Sequence, residues 1–198
     1  MANIPRLVGA PDFGKLIAPE ESLDKRLEGK RVLLTGTTKG VGRVTQELLC
    51  AQGAFVCGSG RSKGVAAEVA NELVAKGYKA AGFDVDLSDY EAVKKWVADC
   101  AELMGGIDIV INNASHPGMA PFGEMTPDIW AYGIQNELDL VYNVCNCAWP
   151  YLIEAGGGSI IITSSTVGLQ GSNSPQACHA AAKGACLALA RQLAAEGG

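Results

Sequence analysis

Strand-like and helix-like runs alternate five times between Lys30 and the last residue, and this alternation limits what the chain can become more than any other feature. RVLLTG is a short apolar run closed by glycine, and VGRVTQELLCAQG follows with apolar residues at helical spacing and a terminal Gly53. AFVCGSG, YKAAGFDV, IDIVINN and SIIITSS predict four more strands. They are separated by helices over 64–76, over YEAVKKWVADCAELMG and over the long stretch 126–154, and a last helix closes the chain over SPQACHAAAKGACLALARQLAAEGG. IDIVINN is apolar on both faces, as a strand covered on two sides must be. Repeated βαβ units predict an α/β fold: an open, doubly wound parallel sheet, Rossmann-like, with helices on both faces. Ligands of such sheets bind beyond the C-terminal strand ends, where the strand order reverses. Residues 1–27, with three prolines and two glycines, read as an N-terminal arm with one short helix around EESLDKRL, and 28–198 as one dinucleotide-binding catalytic domain.

The first predicted strand runs into TGTTKGVG, with glycines at 36, 40 and 42. Glycines between a strand and a helix let backbone N–H groups approach a pyrophosphate at the helix N-terminus, where the helix dipole favours anions. The competing reading is a tight turn with no ligand. The second strand ends GSGRS without an acidic residue to meet a ribose 2′-hydroxyl. Arg61 suits a 2′-phosphate instead, Ser59 and Ser62 can donate to it, and Lys39 adds a second cation from within the glycine turn. The expected cofactor is therefore NADP. The bland alternative is a pair of solvated surface cations.

CHAAAKG, at 178–184, places His179 and Lys183 four residues apart in an alanine-rich helical run, which puts both on one helix face. Two potential cations on one face repel unless something uses them.

The excess of acidic residues, a net charge of −5, and the lack of any Lys/Arg-rich run speak against nucleic acid and anionic membranes as partners. No apolar run approaches the ~20 residues of a membrane span. MANIPRLVGAPDFGK has a proline and an aspartate where a signal peptide carries its apolar stretch, so a cytoplasmic location is expected. The seven scattered cysteines include no C-x-x-C, and they predict reduced, packed thiols and no metal site.

TGTTKGVG, the aspartate of DVDLSD, NNAS at 112–115, and a serine-bearing strand followed by x-x-x-x-K on a helix together resemble the short-chain dehydrogenase/reductase family from about Leu27 to the C-terminus. The resemblance implies hydride transfer between a nicotinamide cofactor and a ketone or secondary alcohol. It implies a cofactor contact set of Gly36, Thr38, Lys39, Gly40, Val41, Gly42, Arg61, Asp86, Leu87, Asn113, Ala114 and Lys183, with Asp86 on the adenine amino group and NNAS beside the nicotinamide ribose. In the family a tyrosine is the general acid/base, a lysine four residues on assists it, a serine polarises the carbonyl, and an asparagine in the long helix anchors a water. Ser165 matches the serine and Lys183 the lysine. Three positions depart from the pattern. Ser115 replaces the glycine of the usual NNAG, His179 replaces the tyrosine, and Glu137 replaces the asparagine when Trp130 to Pro150 is aligned without gaps; a one-residue shift gives Asn136 instead.

Three readings of His179 stay open: the proton donor, with Ser165, Lys183 and Glu137 completing a catalytic set; a residue of a cofactor-binding regulatory protein whose chemistry has changed; or a packed histidine. Imidazole suits acid–base work near neutrality, Lys183 disfavours its charged form, and a carboxylate at 137 favours it. His116, in SHPGM, is expected at the surface or at the substrate mouth. The resemblance also implies a homodimer or homotetramer built on the helices 126–154 and 175–197, through residues such as Val141, Val144, Ala148, Leu187 and Leu189. A further strand, a lid-like helical segment and a final strand are expected beyond Gly198 and absent from this chain, so substrate identity should be largely encoded outside these residues.

Overall fold

A computed structural model of the chain describes residues 25–198. The arm and the helix expected around EESLDKRL lie almost wholly outside the described residues. Five parallel strands form one sheet: β1 (Arg31–Thr35), β2 (Phe55–Gly60), β3 (Ala80–Asp84), β4 (Ile109–Asn112) and β5 (Ser159–Ile162), in the order β3-β2-β1-β4-β5. Six α-helices cross between and after them: α1 (Gly40–Ala51), α2 (Val65–Ala75), α3 (Tyr90–Met104), α4 (Pro127–Ile134), α5 (Leu140–Glu154) and α6 (Ala177–Gly197). The doubly wound α/β fold expected from the alternation is the one observed.

Strand period explains the two cores. On central β1, Leu33 points to one face and packs with Cys57, Val93, Trp96, Val97, Val110, Val141 and Val144 beneath α3 and α5. Its neighbours Val32 and Leu34 point to the other face and pack with Cys50, Val56, Leu73 and Ile111 beneath α1 and α2. Local chemistry sets the helix ends. The Asp89 carboxylate accepts the N–H groups of Glu91 and Ala92 at the start of α3, and Gly105 (φ 75°) closes it. Thr126 caps α4 by accepting from Ile129 N–H, with Pro127 in the first turn.

The long helical stretch departs from the expected single regular helix. A π turn at Gln135–Asp139 separates α4 from α5. A π turn inserts a residue into the α-helical ladder and changes the phase of everything after it. It buries Asn136 and Glu137 together. The expected assembly face of α5 differs as well: Val141, Val144 and Ala148 are fully buried in this chain's own core, so they are not available to a partner. The exposed apolar residues of α5 are Tyr142 and Ile153.

All seven cysteines are buried free thiols. Among the described residues no helix is long and apolar enough to cross a membrane, and no three His, Cys, Asp or Glu side chains converge as a metal site would require.

At the start of the sheet the Asp108 carboxylate accepts from Arg31 N, Nε and Nη2 at 2.7–2.9 Å, tying β1 to the turn before β4. These donors hold the Asp108 carboxyl below the usual carboxylate range. A depressed folded-state value adds stability above the unfolded value, and that stability is lost as pH falls through the folded one. Asp108→Asn should therefore cost about 1 kcal/mol near neutrality after allowing for solvent screening. The cost should shrink as pH falls through the folded-state value and vanish once both states are protonated; urea melts near neutrality and in acid check this, and an equal deficit in both would contradict it.

Candidate active site

The chain leaves β1, builds β2 and β3 on one side, and returns past β1 to build β4 on the other. The loops after β1 and β4 therefore part at their C-terminal ends and open a cleft of ≈ 450 Å³. Its floor is the glycine turn. Gly36 and Gly40 have φ of 74° and 58°, values that L side chains rarely adopt. A Cβ on Gly42 would lie 2.0 Å from the Gly36 carbonyl oxygen and 2.5 Å from Asn113 Nδ2. The NNAS loop is pinned against this turn: Thr35 Oγ1 accepts the N–H groups of Asn113 and Ala114, both at 2.9 Å, and Asn113 Nδ2 donates to the carbonyls of Thr35 and Gly36. The first turn of α1 carries no side-chain cap at Lys39, so its N–H groups remain open to an anion.

Gly36, Thr38, Lys39 and Gly40 line the cleft from the turn, and Ser59, Arg61 and Ser62 from the end of β2. Asp86, Leu87, Asn113 and Ala114 complete the expected walls. Val41, Gly42 and Lys183 are not among the lining residues: Val41 is 74% exposed at the start of α1, while Gly42 and Lys183 are buried. Two hydrogen bonds from Ser88 hold the Asp86 carboxyl below its usual range, with Arg61 adding a smaller effect. Ser59 Oγ is buried on the cleft wall with no hydrogen-bond partner, a cost that a ligand oxygen would relieve. Arg61 Nη1 reaches Asn136 Oδ1 at 3.4 Å, bridging the end of β2 to the π turn.

Beside the cleft lies a buried ionic cluster. Glu137 is fully buried, and its carboxylate oxygens are both 2.8 Å from Nδ1 of His179. Ser115 Oγ is hydrogen-bonded to Glu137 Oε1. Lys183 is 3% exposed; its ammonium donates to the Thr163 carbonyl at 3.0 Å and stands 3.9 Å from Glu137 Oε1. The cation–carboxylate pairing answers the repulsion noted for CHAAAKG: a buried acid sits against both potential cations and makes their burial tolerable. Two thiols flank the cluster, Cys178 and Cys186, and burial pushes both up, so they stay neutral.

Of the two candidates at the asparagine position, Glu137 meets His179, while Asn136 faces the cleft, donates to the Tyr132 carbonyl and accepts from Arg61. Ser165 makes no hydrogen bond to the cluster among the described residues. It begins the 3-10 turn Thr166–Gly168 and accepts the Val167 N–H at 3.4 Å, which leaves its O–H free to donate. His116 is exposed, lines the cleft and pairs with Tyr132 Oη at 2.9 Å. In the sequence, Ser115 is marked only as a departure from glycine in the NNAG pattern. No spacing rule could have paired it with Glu137, which lies 22 residues further on.

A family model described as short chain dehydrogenase matches residues 30–198. The chain is 32% identical over 170 residues to a 3-oxoacyl-(acyl-carrier-protein) reductase of Vibrio harveyi, covering 86% of this chain and 68% of the relative. It is 32% identical over 178 residues to a tropinone reductase homolog of Arabidopsis thaliana, covering 89% and 66%. The crystal structure of a short chain dehydrogenase from Mycobacterium smegmatis superposes with a TM-score of 0.84 at 28% identity, covering 90% of this chain and 74% of that one.

Proposed function

We propose, starting from the fact that the chain belongs to the short-chain dehydrogenase family, a family of oxidoreductases, that it moves hydride between NADP(H) and a ketone or secondary alcohol, with His179 as the proton donor. The observation that carries the reading is the His179 ring: one nitrogen is held by a buried carboxylate, and the other has no protein partner among the described residues. The ring is held four residues before a buried lysine.

The cleft suits a dinucleotide phosphate. Gly42 leaves no room for a side chain at the turn, the α1 N-terminus is uncapped, and the orphaned Ser59 hydroxyl lines the same cleft as Arg61 and Lys39. When bound, the nicotinamide supplies or takes up the hydride. Lys183 has spent one donor on Thr163 and keeps two for ribose hydroxyls. The Ser165 O–H can donate to a substrate oxygen and polarise it. His179 gives its proton to that oxygen in reduction, or takes one in oxidation. Imidazole is shorter than phenol, so the substrate oxygen sits deeper than it would against a tyrosine or is reached through one water. Assembly as a homodimer or homotetramer and a cytoplasmic location belong to the same reading.

Titration with NADPH and NADP, followed by a panel of carbonyl compounds scanned for NADPH oxidation, tests the whole. Binding with turnover is expected. Binding without turnover favours the regulatory alternative, and no binding by either form sinks both. Arg61→Ala should erase most of the preference for NADP over NAD, since an arginine–phosphate contact is bidentate and charge-assisted. Equal affinity for the two cofactors in the unmodified protein would refute the assignment.

A further inference from the structure

The three positions that depart from the family pattern are joined through one side chain: Ser115 and His179 both meet the Glu137 carboxylate. They come from the turn after β4, from the π turn and from α6, so no local spacing joins them. Building on the proton-donor reading of His179, we propose that Ser115 is a positioning residue for it: the Ser115 hydroxyl holds the Glu137 carboxylate, and the carboxylate keeps the His179 proton on Nδ1, so that Nε2 is the nitrogen presented to substrate.

An ionised carboxylate only accepts hydrogen bonds, so Ser115 must supply O–H and His179 must supply Nδ1–H. Glu137 is fully buried, and burial of a charge demands such partners. Lys183 supplies compensating charge but not direction, because at 3.9 Å it stands beyond hydrogen-bond range. Cys186 Sγ approaches the Glu137 backbone carbonyl, not its carboxylate. Among the described residues, Ser115 is thus the one hydrogen-bond donor that fixes the carboxylate independently of the ring. It can do so because its own loop is rigid: the N–H groups of the two preceding residues are both tied to Thr35 Oγ1. Orientation therefore passes from β1 through the loop to Ser115, then to Glu137 and to the imidazole. A carboxylate partner on one ring nitrogen selects the tautomer at the other.

The proton balance in carbonyl reduction follows. The hydride adds to the carbonyl carbon, the oxygen takes the Nε2 proton of the imidazolium, and the neutral ring keeps its proton on Nδ1, where it is donated to the Glu137 carboxylate. Water reprotonates Nε2 after the alcohol leaves. Oxidation runs in reverse, with Nε2 as the accepting lone pair.

The chain holds two histidines, so ¹⁵N-labelled imidazole spectra of the full chain are simple, and the resonances lost in His179→Phe identify His179. The neutral ring should be mainly the Nδ1–H tautomer. In Ser115→Ala that preference should weaken, and kcat for the carbonyl substrate found in the panel should fall about tenfold with KM little changed, the scale of one lost hydrogen bond to a charged partner. Ser115→Thr keeps the hydroxyl and should restore both readouts. If Ser115→Ala leaves tautomer and kcat unchanged while His179→Phe is inactive, the positioning role is overturned and the proton-donor role stands. If His179→Phe retains full turnover, both are overturned, whatever the tautomer does.

Discussion

His179→Phe should lower carbonyl turnover by two or more orders of magnitude, in line with the ~10²–10⁴ lost with a general acid, while NADPH affinity hardly changes. The two halves separate because they rest on different parts of the fold. The glycine turn, Arg61 and Lys39 line the cleft without touching the imidazole, and Lys183 keeps its anchor on Thr163 in the variant. His179→Tyr alone should be impaired, because the carboxylate 2.8 Å from Nδ1 occupies space that a longer ring needs. His179→Tyr combined with Glu137→Asn should do better than His179→Tyr, since residues in direct contact do not act additively. Turnover left intact in His179→Phe would remove the acid role and assign the proton to water or to another group.

Gly42→Ala should lower both stability and cofactor affinity. Its Cβ would fall 2.0 Å from the Gly36 carbonyl oxygen and 2.5 Å from Asn113 Nδ2, well inside the ~3.5 Å at which non-bonded atoms rest. Neither neighbour is free to yield. Gly36 belongs to the backbone turn itself, and Asn113 Nδ2 is bonded to the carbonyls of both Thr35 and Gly36. Relief requires moving α1 away from the end of β1, so the cost belongs at or above the upper end of overpacking, about 3 kcal/mol. For a chain of this size that lowers the melting temperature by roughly 6–12 °C. NADPH affinity should fall tenfold or more, because displacement of α1 withdraws the N–H groups proposed to hold the phosphates. An unchanged melt together with unchanged NADPH affinity would show that the turn is looser than this geometry.

The sequence by itself determined the sheet, its parallel sense, the glycine turn and the shared face of His179 and Lys183. All of these follow from short-range rules: period two in strands, period 3.6 in helices, and a positive φ for glycine. Only the tertiary structure shows that Glu137, and not Asn136, meets His179. A π turn shifts helix phase by a residue, and no pattern of apolar spacing announces where it falls. The contact of His179 with Glu137, 42 residues before it, and of Glu137 with Ser115 follows from how α6, the π turn and the loop after β4 pack, not from any local period. Val141, Val144 and Ala148 teach the same lesson in reverse. Their spacing marks an apolar helix face, but only packing shows that this face is already covered by the chain's own core.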